Sequence, residues 1–258
     1  MDLSSQLLLF AASLIANTLS ALAGGGAGLL QLPVLLFLGL GFASALVTHK
    51  IASVALGIGA SVRHFRESSL NRLFALFILA CGLPGVVTGA MIILKFDDHF
   101  SKLALGGLTL GIGIYSILKK DLGQQMLLRN RDGRGYLIGG AALFAIGVLN
   151  GSLTSGTGLL VTLWLVRWFG LDYKTAVAYT LVLVGLFWNG FGAITLAFQA
   201  PIKWNWLPAL LVGSLVGGYL GAHLSIIKGN QWVKRSFEVL TFVVGIKLVW
   251  DGIKPFLT

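Results

Sequence analysis

The stretch Ala23-Gly24-Gly25-Gly26-Ala27-Gly28-Leu29-Leu30 places four glycines in five positions between long apolar runs. Glycine gives little support to a helix, and a helix broken in hydrocarbon leaves backbone N–H and C=O groups that lipid cannot satisfy. Such a break must line a cavity, pack against protein or contact a ligand. A second cluster, Gly151-Ser152-Leu153-Thr154-Ser155-Gly156-Thr157-Gly158-Leu159-Leu160, repeats the pattern far downstream. Broken helices at corresponding places of two halves point to a transporter's substrate site, whereas close helix packing is the competing use of small residues in membranes.

The membrane setting follows from composition. Of the 258 residues, 56% are hydrophobic and 11% charged, while soluble domains carry about 25% charged residues. Mean hydropathy is +0.88, and runs of membrane length cover most of the chain. The expected fold is all-α: a polytopic helical membrane protein with an internal duplication. Met1 to Thr48 holds no Lys, Arg or His, which argues against a secretory signal peptide. The net charge of +10 could suggest nucleic acid, but the bases sit in short loops. They read as topology signals and anionic-lipid contacts, with no nucleic-acid partner. Cys81 is the sole cysteine, so an intramolecular disulfide is excluded, and the four histidines show no metal-ligand spacing. No metal or other cofactor is expected.

Taken in order, Leu3 to Leu22 runs into the first break, and Leu29 to Leu40 is too short for the roughly 20 residues of a span. The pair reads as a helical hairpin or a broken helix. Segments at Ala43 to Val62, Leu73 to Leu94 and Leu103 to Leu118 follow. The expected division is a first transmembrane repeat over 1–118, a basic linker over 119–135 and a second repeat over 136–258. The second half runs Tyr136 to Asn150, the break, Leu159 to Phe169, Ala176 to Phe198, Leu207 to Ile227 and Phe237 to Trp250. Trp204 and Trp206 suit a membrane interface. The repeats match at an offset of 130 around the breaks. After a two-residue shift Thr48 meets Thr180, Gly85 meets Gly217, Gly89 meets Gly221 and Gly113 meets Gly245. Basic loops on one side require the second repeat to be inverted relative to the first; a parallel duplication of four spans per half is the alternative.

Lys50 is the most informative single residue, about 12 Å into its segment at 1.5 Å per residue. An unpaired ammonium there is costly in lipid, so it should face a polar interior unless it snorkels to the interface. Glu238 and Asp251 lie one helical turn from Lys234 and Lys247 and should pair with them. The other acids fall at segment ends or loops, leaving no mid-membrane carboxylate for Na⁺ or proton relay. A cation together with N–H groups at two helix breaks suits a small anion. If protons are coupled, His49 or His223 must be considered. Asn150, Ser152, Thr154, Ser155, Thr157, Tyr179 and Thr180 add neutral hydrogen-bond partners.

Gly24-Gly25-Gly26-Ala27-Gly28 with Pro33, the Ala45-Leu46-Val47-Thr48-His49-Lys50 run and the Gly156-Thr157-Gly158 turn together resemble the TauE/SafE sulfite-exporter family. The resemblance covers nearly the whole chain. Members commonly have Asn at the position of His49. The resemblance implies a transporter of sulfite, organosulfonates and related anions, located in the inner cell membrane. The expected binding set is Gly24, Gly25, Gly26, Gly28, Thr48, His49, Lys50, Ser152, Ser155, Gly156, Thr157, Gly158, Tyr179 and Thr180. Partners are a small anion and the lipid bilayer, with room for a homo-oligomer. The rival readings are a passive anion channel and, without a metal pair or an activated nucleophile in view, an integral membrane enzyme.

Overall fold

The computed structural model describes residues 3–25, 27–64, 70–92, 98–154 and 156–254. These residues form helices and loops, with no strand among them. The first half comprises α1 (Leu3–Ala23), α2 (Ala27–Phe37), α3 (Phe42–His64), α4 (Arg72–Ile92) and α5 (Asp98–Leu118). The second comprises α6 (Gly133–Ser152), α7 (Thr157–Arg167), a rod made of α8 (Tyr173–Tyr179), a π-helix (Thr180–Trp188) and α9 (Asn189–Ala197), then α10 (Leu207–Lys228) and α11 (Asn230–Ile253). Six helices are long and apolar enough to cross a membrane, and the chain is a polytopic membrane protein.

The two breaks are hairpin tips. Gln31 Nε2 on α2 donates to Ser13 Oγ on α1 at 2.9 Å, so α2 folds back along α1. In the second half Trp164 Nε1 donates to Gly139 O at 3.3 Å and Trp168 Nε1 to Gly135 O at 3.0 Å, setting α7 back along α6. Both returning arms have 11 residues, about 16 Å at 1.5 Å per residue. Each therefore retraces only part of its longer partner.

Small residues let the long helices approach to backbone contact. On α10, Gly213, Gly217 and Gly221 face the carbonyls of Phe10, Leu14 and Thr18 on α1; on α4, Gly85 and Gly89 face those of Phe144 and Val148 on α6. An added Cβ at any of these positions would come within 2.0 to 2.7 Å of that oxygen. Between α5 and α11 the order reverses, with Gly106 by Val249, Gly113 by Thr241 and Gly245 by Leu110. These two helices run antiparallel.

Helix direction sorts the charge. Gln6 donates to Asn205 O, Lys203 N donates to Thr48 Oγ1, and Arg63 Nε donates to His223 Nδ1, so α1, α3 and α10 run the same way. The ends of α3, α5, α7 and α10 then bring Arg63, Lys119, Lys120, Arg167 and Lys228 to one end of the bundle. At the opposite end the described loop between α9 and α10 carries only Lys203. Lys234 pairs with Glu238 at 2.5 Å, and Lys247 pairs with Asp251, as their spacing predicts. Trp204 is exposed, but Trp206 is buried against Leu9 and Leu210, so only one of the two tryptophans is free for an interface.

Candidate functional site

The hairpin tips meet. Gly25 has φ 122° and a virtual Cβ there would lie 2.7 Å from the Gly158 backbone, so only glycine permits this contact. At the other tip Thr154 and Gly156 also take positive φ, 60° and 76°. Thr154 Oγ1 donates to Asn150 O at 2.9 Å, and Thr157 Oγ1 donates to Thr154 O at 2.8 Å, closing the turn on itself. Sequence alone allowed a broken helix or a hairpin at each cluster; side-chain bonds across the arms decide for the hairpin.

Beside the tips lies a small buried cavity of about 30 Å³, room for roughly one to three waters. The first tip contributes Ser20, Gly25, Ala27 and Gly28, and the second Asn150, Thr154, Thr157 and Gly158. His49, Ser53 and Leu56 come from α3, and Thr180, Leu181, Val184, Gly185 and Asn189 from the rod. Among the described residues the lining contains no carboxylate. The first turns of α2 and α7 border it, and helix N-termini carry partial positive charge with N–H groups that lack intrahelical acceptors.

Lys50 stands behind this cavity rather than in its lining. Its side chain is fully buried, and Nζ donates to Asn150 O at 2.8 Å, Asn150 Oδ1 at 3.1 Å and Asn189 Oδ1 at 3.4 Å. Three neutral oxygens thus hold the ammonium, and among the described residues no carboxylate pairs with it. Asn150 Nδ2 passes the polarisation on to Thr157 Oγ1 at 2.8 Å. A cation held this way keeps its field unneutralised within a low-dielectric interior.

His49 is buried and lines the cavity. Its Nδ1 lies 2.7 Å from Gln31 Oε1 and its Nε2 3.1 Å from Ser53 Oγ. The Gln31 amide is assigned with Nε2 toward Ser13, which makes Oε1 the acceptor of the His49 Nδ1–H. Nε2 of the neutral ring then accepts from Ser53. Ser13 and Ser214, 2.9 Å apart, and Asn17 continue this polar chain between α1 and α10.

Of the residues expected to bind, Gly25, Gly28, His49, Thr157, Gly158 and Thr180 line the cavity. Gly24 lies just outside, its carbonyl accepting from Thr162 Oγ1 at 2.6 Å, and Gly156 caps α7. Thr48 turns away to accept from Lys203 N at 3.2 Å, Ser152 bonds its own helix at Val148 O, 2.9 Å, and the Tyr179 hydroxyl accepts from Asn71 N at 2.8 Å. Gly26 and Ser155 fall outside the described residues. The sequence reading did not select Ser20, Gln31, Ser53 or Asn189. The signal available for Gln31 and Asn189 was an amide inside an apolar run. The π-helix that widens the rod over Thr180–Trp188 and carries Thr180, Leu181, Val184 and Gly185 has no sequence mark, although such segments concentrate at functional sites.

The chain is similar over most of its length to proteins described as membrane transporters. It is 29% identical over 255 residues to a probable membrane transporter protein of Haemophilus influenzae, covering 97% of this chain and 98% of the relative. It is 25% identical to the probable membrane transporter protein YfcA of Escherichia coli, covering 95% of this chain and 89% of the relative. The probable membrane transporter protein YunE of Bacillus subtilis is 22% identical, with 96% and 99% covered. No solved structure matches the chain. Residues 9–248 match the family model described as sulfite exporter TauE/SafE, and this chain belongs to that family.

Proposed function

We propose that the protein exports a small sulfur-containing or organic anion, such as sulfite or an organosulfonate, by alternating access across the inner membrane. The observation that carries this reading is the small buried cavity between two hairpin tips, bordered by two helix N-termini, lined by no carboxylate among the described residues and backed by Lys50. Backbone N–H groups at the first turns of α2 and α7 supply neutral donors, while the buried ammonium supplies charge through Asn150. One small buried site favours a carrier over an open channel, which wants several weak sites along a continuous path. An organosulfonate is larger than the present space, so loading requires the tips to part.

The internal duplication and its inversion draw support from packing. Gly85 meets Phe144 O as Gly217 meets Leu14 O, and Gly89 meets Val148 O as Gly221 meets Thr18 O. These contacts exchange under the sequence offsets of 132 and 130. The equivalent helices α5 and α11 run antiparallel, as a two-fold axis in the membrane plane requires. The positive-inside rule places the basic end in the cytoplasm. The two hairpins then enter from opposite faces.

The test is uptake and efflux of sulfite and simple organosulfonates in proteoliposomes. A carrier gives flux that saturates with anion concentration and accelerates when the far side holds the same anion. Flux that rises linearly without saturation sinks the alternating-access reading, and no anion-dependent flux at all sinks the substrate class.

A further inference from the structure

At the basic end of the bundle, the stretch joining the two halves builds a second pocket. The connection does not hang free. Leu127 N donates to Gly170 O at 2.8 Å, Arg129 N donates to Phe169 O at 3.1 Å, and Tyr173 N donates to Gly123 O at 2.9 Å. Gly123 and Gly170 take φ of 66° and 70°, and a Cβ on Gly170 would lie 1.7 Å from Leu127 O. The linker is therefore fastened to the end of α7 at glycines that no other residue would replace without displacing it.

Between this strap and the ends of α5 and α7 lies a cavity of about 610 Å³, within the range of roughly 300–1,000 Å³ usual for small-molecule sites. Its cations are Lys119, Lys120, Arg129 and Arg167, against the single acid Asp121. The Arg167 guanidinium lies 5.8 Å from the centre of the Tyr115 ring, which restrains it toward the pocket wall. Apart from Gln125 the remaining wall is largely apolar, including Leu118, Leu122, Val166 and Leu171. Beside it, Ile114 and Ile117 of α5 are exposed, as is Leu118 of the wall, and an exposed apolar run in the linker, Met126 at 47%, Leu127 at 57% and Leu128 at 59%, continues from the wall through Leu127. Three successive exposed apolar residues before Arg129 fit a segment lying in the headgroup layer, with its apolar side chains toward the acyl boundary.

We infer that this pocket binds the phosphate headgroup of an anionic phospholipid of the cytoplasmic leaflet. The four bases meet the phosphodiester, and the apolar wall and the Met126-Leu127-Leu128 run meet the acyl chains. The juxtaposition of charge and lipid-facing surface separates this ligand from a soluble anion, which has no use for the apolar wall. Basic pockets between membrane helices at this depth take anionic headgroups on general physical grounds. The occupant would brace the joint between the two halves, whose relative movement carries transport in the reading above.

The experiment titrates the detergent-purified protein with dioleoyl phosphatidylglycerol, dioleoyl phosphatidylcholine or sn-glycerol 3-phosphate, following thermal unfolding and lipid retention by native mass spectrometry. Phosphatidylglycerol is expected to raise Tm with concentration and to remain bound, while the other two leave both readings unchanged. The R129Q/R167Q double variant should lose most of that shift and most of the retained lipid, and Lys203→Gln at the opposite end should lose neither. If R129Q/R167Q does not fold, the exposed pair K119Q/K120Q takes its place with the same expected loss. Equal shifts with phosphatidylcholine, reproduction of the effect by glycerol 3-phosphate, or unchanged retention in the charge variants would each overturn the assignment.

Discussion

The Lys50 ammonium sits 2.8 Å from the backbone carbonyl oxygen of Asn150, one turn before the second hairpin tip. A lysine on the first half is thus the clamp on the break of the second. Its charge reaches the cavity through an amide rather than by direct contact. Removing that charge should weaken anion affinity more than it weakens the fold. Lys50→Gln is expected to lower affinity for sulfite or a sulfonate at least tenfold, or about 1.4 kcal/mol, with Lys50→Arg intermediate because the fork keeps charge but changes geometry. Liposome transport and binding measured on the three proteins check this; parent-like affinity in Lys50→Gln would show that the buried charge does not reach the anion.

Gly25 and Gly158 touch through their backbones, and Gly25 holds a φ that other residues rarely adopt. Gly25→Ala should cost about 1–3 kcal/mol from backbone strain alone and abolish transport by prising the tips apart. Gly156→Leu, at another positive φ, should also abolish it. Gly41→Ala, where a Cβ meets nothing within 4 Å, is the control and should behave as wild type. Flux normalised to membrane expression reads all three. Wild-type flux in both tip variants would leave the glycines a packing role only.

Gln31 fixes the ring of His49 through the 2.7 Å bond to Nδ1. Gln31→Leu leaves that buried N–H without its acceptor and Ser13 without one donor, so about 1–3 kcal/mol of stability should be lost. Gln31→Glu preserves an acceptor for Nδ1–H and should restore the ring's orientation while altering the charge next to the cavity. Thermal unfolding and transport KM separate the two effects. Equal stability of Gln31→Leu and the parent would mean that His49 is held by other contacts.

Asn205 and Asn230 mark opposite ends of the bundle. On a Cys81→Ser background, cysteines at these two positions should react with an impermeant maleimide from opposite sides of the membrane, Asn230→Cys from the cytoplasm. Reaction of both from one side would eliminate the inverted arrangement.

Much of this protein is legible in its sequence. Hydropathy fixes the membrane class because lipid leaves helices as the economical way to satisfy the backbone. The glycine clusters mark the breaks, and the spacing of Lys234 from Glu238 and of Lys247 from Asp251 predicts pairs that form. Both are local properties, set by the residue and its neighbours within one turn. The lining of the cavity is not local. Thr48, Ser152 and Tyr179 have suitable chemistry and sit near the right segments, but a helix rotates successive side chains by about 100°, and their hydroxyls turn to Lys203, Val148 and Asn71. Ser20, Ser53 and Asn189 enter instead because three helices and a π-turn present those faces to one point. The sequence by itself determined the medium, the two breaks and the sign of the interior charge. Which side chains share the cavity, and that Lys50 stands behind Asn150, only the packing of both halves decided, since each depends on distances between residues about a hundred positions apart.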